Sequence, residues 1–242
     1  MPDNNGRTPL SWAASEGRAE VVKMLLGRGD INPDKPDNNG RTPLSHAALR
    51  WDAEVVKILL GRDDVNPDMP DNNGRTPLSW AASEAGWNAE VVKILLGRDD
   101  VNPDMPDNNG RTPLWQAAKN GHMGIVEMIL GKDDVNPNRP DKCDRTPLWC
   151  AAGNGHGKVV EMLLRRGDVN PEKPDIHDRT PLLCAAWNGH EGVVKTLLGR
   201  GDVNPDKPDK YGKTPLFYAT HIGHVGVVAL LQPRVSAAPS TV

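Results

Sequence analysis

Four histidines, His122, His156, His190 and His224, stand 34 residues apart, and their even spacing is the first place to look for chemistry. A metal ion needs several ligands converging on one point. Ligands a whole repeat apart do not converge, so these four read as structural side chains bonding neighbouring backbone. His190-Glu191 lacks the second histidine of a zinc-protease helix. Gly212-Lys213-Thr214 has the outline of a phosphate loop, but Lys207 stands where that loop needs its first glycine, and Pro215 follows. Cys150 and Cys184 lack a histidine-and-acid arrangement that would activate a thiol. The expectation is a chain that is no enzyme and has no cofactor and no metal.

Binding is the chemistry left. Differences between the internal copies concentrate at the residue before each Ala-Ala pair and at the two residues after it. The first place holds Trp12, His46, Trp80, Gln116, Cys150, Cys184 and Tyr218. The later places include Glu16, Arg50, Glu84, Asn120, Asn154, Trp187 with Asn188, and His221. Offsets of three and four residues share one helical face. That face is distinct from the stacking face, which leucine and Ala-Ala occupy. Tryptophan and tyrosine combine large apolar area with a polar handle and dominate binding hot spots. The expected partner-binding set is Trp12, Glu16, His46, Arg50, Trp80, Glu84, Gln116, Asn120, Trp187, Asn188, Tyr218 and His221. Trp115 and Trp149, one residue earlier on the helix, are read as packing residues. A basic ladder, Arg7, Arg41, Arg75, Arg111, Arg145, Arg179 and Lys213, follows an aspartate four residues earlier each time, from Asp3 to Asp209. It reads as an Asp–Arg network tying hairpins together rather than an anion-reading rail.

These residues need elements to hold them, and the elements repeat. Thr-Pro-Leu begins at Thr8, Thr42, Thr76, Thr112, Thr146, Thr180 and Thr214, in steps of 34 residues except for 36 between Thr76 and Thr112. A unit this short cannot bury its own apolar face and must stack on copies of itself. In the second copy, Asp37-Asn38-Asn39-Gly40 is a turn with a hairpin signal. Thr42 caps a helix that has Pro43 in its first position, where the missing N–H costs nothing. Leu44, Ala47 and Ala48 give that helix a small apolar face. A second helix from about Ala53 carries Val55, Val56, Leu59 and Leu60 at helical spacing. Gly61 is expected to end it in a left-handed cap. Asn66-Pro67-Asp68-Met69-Pro70 then leads to the next turn, its prolines excluding helix. The third copy carries a two-residue insertion, Ser83 to Asn88. Trp51, where other copies have glycine, must accept an unfavourable backbone angle or change the turn. It is read as packing on Trp87.

Hydrophobic content of 37% and aromatic content of 4% are low for a compact core but suit thin stacked layers. A net charge of -3 gives no drive toward nucleic acid or anionic lipid. No apolar run reaches membrane-spanning length, and Met1-Pro2-Asp3 begins no secretory signal. Three cysteines make no disulfide framework, which points to a reducing cytoplasm.

The pattern Gly-Arg-Thr-Pro-Leu-x-x-Ala-Ala, then Gly-His, then Val-Val-x-x-Leu-Leu, then Asp-Val-Asn resembles the ankyrin repeat over nearly the whole chain. The resemblance implies an all-α solenoid of about seven helix-turn-helix units joined by projecting β-hairpin loops, with the variable face turned into a concave groove. The family's histidine after Thr-Pro-Leu is replaced here by Ser11, Ser45, Ser79, Trp115, Trp149, Leu183 and Phe217. The hairpins are also longer than the family norm. Thr-Pro-Leu-Ser-Trp-Ala-Ala in near-identical tandem copies is similar to ankyrin arrays of fungal NLR-like signalling ATPases. Asn66, Asn102, Asn136, Asn170 and Asn204 resemble asparagines hydroxylated in some ankyrin proteins, though a role bridging hairpin backbone is preferred.

The resulting expectation is one repeat domain over residues 1–231, with copies at about 3–36, 37–70, 71–106, 107–140, 141–174, 175–208 and 209–231. A disordered tail is expected over 232–242. The chain is read as a fragment, or as one whose open first copy a neighbouring domain covers. Its expected partner is a protein or peptide in the groove, not nucleic acid or membrane. It is expected to be a monomer, with the uncapped first copy open to end-to-end association. The rival reading is an architectural spacer or self-assembling scaffold.

Overall fold

The computed structural model describes residues 1–84 and 89–232. Within them the chain forms helix pairs: α1 (Pro9–Ser15) with α2 (Ala19–Leu26), α3 (Pro43–Leu49) with α4 (Ala53–Leu60), and α5 (Pro77–Ser83) with α6 (Glu90–Leu96). Then come α7 (Pro113–Asn120) with α8 (Met123–Leu130), α9 (Pro147–Gly153) with α10 (Gly157–Leu164), α11 (Pro181–Trp187) with α12 (Glu191–Leu198), and α13 (Pro215–Ile222) with α14 (Val225–Leu231). The fold is all-α, and no strand occurs among the described residues. The expected β-hairpin loops are tight turns instead, six of them closed by a backbone bond such as Asp37 N–H to Arg41 O at 2.9 Å. The insertion residues 85–88, Trp87 among them, and the tail residues 233–242 lie outside the described residues.

The chain divides into two compact units, Met1–Lys142 and Cys143–Val242. In the first, α1, α3, α5 and α7 pack in sequence as one row, and α2, α4, α6 and α8 as the other. In the second, α9, α11 and α13 form one row and α10, α12 and α14 the other. No described helix is long and apolar enough to cross a membrane.

Each leading helix starts alike. The threonine before it is extended, and its hydroxyl accepts the N–H three residues on, as Thr42 does from Ser45 at 3.1 Å. Proline follows at the first helical position in all seven. Loss of such a cap costs about 1 kcal/mol, so seven of them fix where these short helices begin. The core is the repeated set of Leu, Ala-Ala and Val-Val side chains, with Leu78, Ala82, Val91 and Leu95 fully buried in the third copy.

Two backbone expectations resolve in different directions. Gly61 is right-handed at φ -72, as are Gly27, Gly97, Gly131 and Gly199, so the expected left-handed cap is absent there. The chain continues into a further turn, with Arg62 N–H reaching Leu59 O, and that turn is right-handed. The backbone does not demand glycine there, since Arg165 takes the same right-handed place after α10. Trp51 accepts the unfavourable angle, at φ 52.

Candidate functional site

The site is built on one arrangement repeated along the chain. Six of the turns open with an aspartate whose Oδ1 gathers two backbone amides. For Asp37 these are Asn39 at 2.8 Å and Arg41 at 2.9 Å. Its Oδ2 takes the side chain nine residues later, on the leading helix. Trp12 Nε1 donates to Asp3 at 3.0 Å, His46 Nε2 meets Asp37 at 3.0 Å, Trp80 Nε1 donates to Asp71 at 3.2 Å, and the Tyr218 hydroxyl donates to Asp209 at 2.7 Å. In these four copies the variable residue before Ala-Ala docks the turn onto its helix; Gln116 makes no such bond to Asp107, and Arg179 rather than Cys184 takes the Asp175 oxygen.

This arrangement corrects part of the expected face. His46 is 2% exposed, Trp80 7% and Gln116 4%, so these three are not solvent-facing. The carboxylates of Asp37 and Asp71 draw His46 and Trp80 inward, whereas Gln116 Nε2 is buried without a hydrogen bond to Asp107. Trp80 lies between the Arg41 and Arg75 guanidinium groups, 4.4 and 4.6 Å from its ring centroid. Trp12, with Arg7 alone at 5.0 Å, keeps 44% exposure. Glu16, Arg50, Glu84 and Asn120 are exposed in the first unit; Trp187, Asn188 and His221 are exposed in the second, where Tyr218 is half-buried. Asn120 Nδ2 also donates to Ser83 O at 2.6 Å, bracing α7 against α5. Trp115 is buried, and Trp149 is half-buried with Nε1 donating to Arg179 O at 2.8 Å.

The ladder is thus largely a cation–aromatic stack, with looser ion pairs at 4.0 Å from Arg7 to Asp37 and from Arg75 to Asp107. Arg179 turns back on its own Asp175, with Nε to Oδ2 at 2.8 Å. The turn tips are laddered by asparagine. Asn38 N–H reaches Asn5 O and Asn72 N–H reaches Asn39 O, while the Asn38 and Asn72 amides donate to Asn4 O and Asn38 O. Two of the histidines between helices bond backbone of the preceding copy, His190 Nε2 to Gly153 O at 3.1 Å and His224 Nε2 to Trp187 O at 3.0 Å, whereas His122 Nε2 makes no such bond. The Asp-Val-Asn asparagines close turns, as Asn66 Oδ1 does by accepting from Asp68 N–H at 3.0 Å.

Burial sets the electrostatics. It lowers the His46 pKa, with Asp37 opposing. It raises Asp34, Asp68 and Asp104, although each accepts a backbone amide from the next copy. It pushes the Cys184 thiol up to about 12, which leaves it protonated and unreactive. Burial also opposes the Asp209 carboxylate, but the Tyr218 hydroxyl and the Lys213 and Tyr211 amides hold its pKa below the ordinary value. Among the described residues, no group of three or more His, Cys, Asp or Glu side chains is placed to hold a metal ion.

In the second unit the exposed aromatic residues meet. Trp187 stacks on Tyr218 at 4.2 Å between centroids, Phe217 packs edge-on to Tyr218 at 5.6 Å, and His221 stacks on Phe217. Beside them is a cleft of about 350 Å³ that includes Trp149 and Arg179, neither of which sequence reasoning placed in the site. Their common signal was available: an aromatic residue and a guanidinium at matching places in successive copies.

The family model for ankyrin repeats (3 copies) matches residues 1–71, 52–141, 134–207 and 172–238. Comparison with curated proteins gives no significant sequence match. Among solved structures, the fold is similar to the ankyrin repeat domain of Bcl-3, described as a unique member of the IkappaB protein family. The TM-score is 0.78 at 24% identity, over 94% of this chain and 99% of that one. Helix pairs, capped Thr-Pro-Leu starts and a family match along nearly the whole length agree, and the chain belongs to the ankyrin-repeat family.

Proposed function

We propose that the chain is a non-catalytic recognition module, holding a protein or peptide against the face made by its turns and leading helices. One observation carries this reading. The positions that differ most between copies and remain exposed, Glu16, Arg50, Glu84, Asn120, Trp187, Asn188 and His221, lie beside the leading helices, while the repeated residues are buried. Stacking explains the second set and leaves the first unexplained. Family membership supports the same reading, since ankyrin repeats generally mediate protein–protein interaction. The tandem Thr-Pro-Leu-Ser-Trp-Ala-Ala copies support a place in a larger fungal NLR-like receptor. A count of three cysteines, too few for a disulfide framework, supports a cytoplasmic location.

An architectural spacer is favoured by a different observation. His46, Trp80 and Gln116, at variable positions, are buried against the turn rather than presented. Site-specific photo-crosslinking separates the two readings. A photoreactive residue at Glu16 or Asn188 is expected to trap a saturable partner that one at exposed Met24 on α2 does not. Equal labelling from both faces, or none from either, removes the recognition reading.

A further inference from the structure

Resting on that reading, we propose that the second unit's cleft takes an acidic peptide segment carrying an apolar or aromatic anchor residue. The cleft is lined by Trp149, Asn154, Arg179, Cys184, Trp187 and Asn188, all within Cys143–Val242.

Three features fix the partner's chemistry. The first is the wall. Trp187 keeps 37% exposure even though Tyr218 covers one of its faces at 4.2 Å, so the indole is braced from behind and open in front. A braced aromatic surface loses little side-chain entropy when an apolar group lands on it.

The second is the hydrogen-bonding inventory. Asn188 Nδ2 is spent on Gly153 O and Cys184 O, each at 3.0 Å, and Asn154 Nδ2 on Cys150 O at 2.8 Å. No hydrogen bond among the described residues occupies either amide oxygen. Asn188, held by two bonds, is the fixed acceptor that suits an N–H of an extended peptide, while exposed Asn154 lies at the edge and is open to substitution. Arg179 spends Nε and Nη2 on Asp175, leaving Nη1 as a cationic donor. A carboxylate is the partner that group takes best.

The third is charge. Asp175 and Asp209 are buried at 3% and 5% exposure beneath the turns. Above them Arg145, Arg179 and Lys213 are half-exposed and Lys210 is exposed. The acids at the same level are Asp144, which faces Lys173 at 4.0 Å, and Asp178. Where this face meets solvent the cations outnumber the acids, while Asp175, paired with Arg179, and Asp209 lie buried beneath. Such a surplus speeds association with an acidic segment and disfavours a basic one. Cys184, neutral on the cleft floor, adds no opposing charge.

Selection from a phage-displayed library of random 12-residue peptides on the full chain, with counter-selection on a Trp187→Ala variant, tests this. Clones enriched in Asp and Glu around an aromatic or aliphatic residue are expected. Their affinity should fall at least fivefold in Trp187→Ala and in Arg179→Gln, with circular dichroism confirming the fold. Charge reversal at exposed Asn154 is the control against a merely structural effect. Asn154→Lys should tighten the same clones severalfold and Asn154→Asp should weaken them. Neutral or basic clones that still need Trp187 would overturn the acidic partner and leave the recognition reading standing. Clones indifferent to Trp187, Arg179 and Asn154, or no clones at all, would remove the cleft altogether.

Discussion

The side chains that dock a turn, tryptophan, histidine and tyrosine, share an aromatic ring with a hydrogen-bond donor on it and little else. The constant spacing of nine from the turn aspartate is printed in the sequence, yet it reads as groove variation until the turn folds back over the helix. His46 is the member whose donor depends on pH. Its folded pKa lies below the ordinary 6.5, burial being the largest cause. A depressed histidine pKa means the unfolded chain takes up the proton more readily. Stability is therefore full above about pH 6.5 and is lost as pH falls through that value. His46→Trp places there the residue that Trp80 already is in the next copy, bonding its aspartate without a titratable ring. The variant's melting temperature should fall less than the parent's between pH 7 and pH 5. Parallel curves would show that His46 makes no contribution.

At the scale of the element, the helices were legible because their signals are local. Threonine, proline and leucine fix each start, and valine and leucine pairs fix each buried stripe. The loops were not, because their form depends on the neighbouring copy. Asn-Gly suggested a β-hairpin, but the amides that a strand partner would use are taken by the asparagine ladder between tips. Gly40 shows the constraint. At φ +80 it has a left-handed backbone, and a Cβ there would stand 2.6 Å from Asn72 N and 2.5 Å from its Oδ1. Asp178 holds an equivalent place in a later copy at φ 59. Aspartate tolerates that region, and alanine does not. Gly40→Ala should therefore cost about 1–3 kcal/mol in urea unfolding, from backbone strain plus displacement of Asn72. Asp178→Gly should stay within about 0.5 kcal/mol, since relief of strain and added unfolded-state entropy oppose each other. If both changes were neutral, the turns would not be pinned tip to tip.

For the whole molecule, stability is a sum of thin layers, each coupled to its neighbours, so local opening should follow local burial. Interior copies of the first unit are densely buried. Six of the seven residues of α3 are buried, and α4 adds Val55, Val56, Leu59 and Leu60. In the second unit α13 buries only Pro215 and Ala219, and α14 only Val227 and Leu231, while Phe217, Ile222 and Val225 remain exposed. Each buried leucine or valine contributes roughly 1.5–3 kcal/mol against exposure, so a layer with fewer than half the buried side chains opens far more often. Amide hydrogen exchange followed by mass spectrometry should find α3 and α4 exchanging most slowly and α13 with α14 at least tenfold faster. The contrast has a functional side, because Tyr218, which braces Trp187 from behind, sits on α13. A ligand that seats on Trp187 tightens that stack and should slow exchange in α13 selectively, leaving α3 and α4 unchanged. Uniform protection across all four helices would mean that burial does not grade the stability of this chain. The brace behind Trp187 would then be as firm as its core.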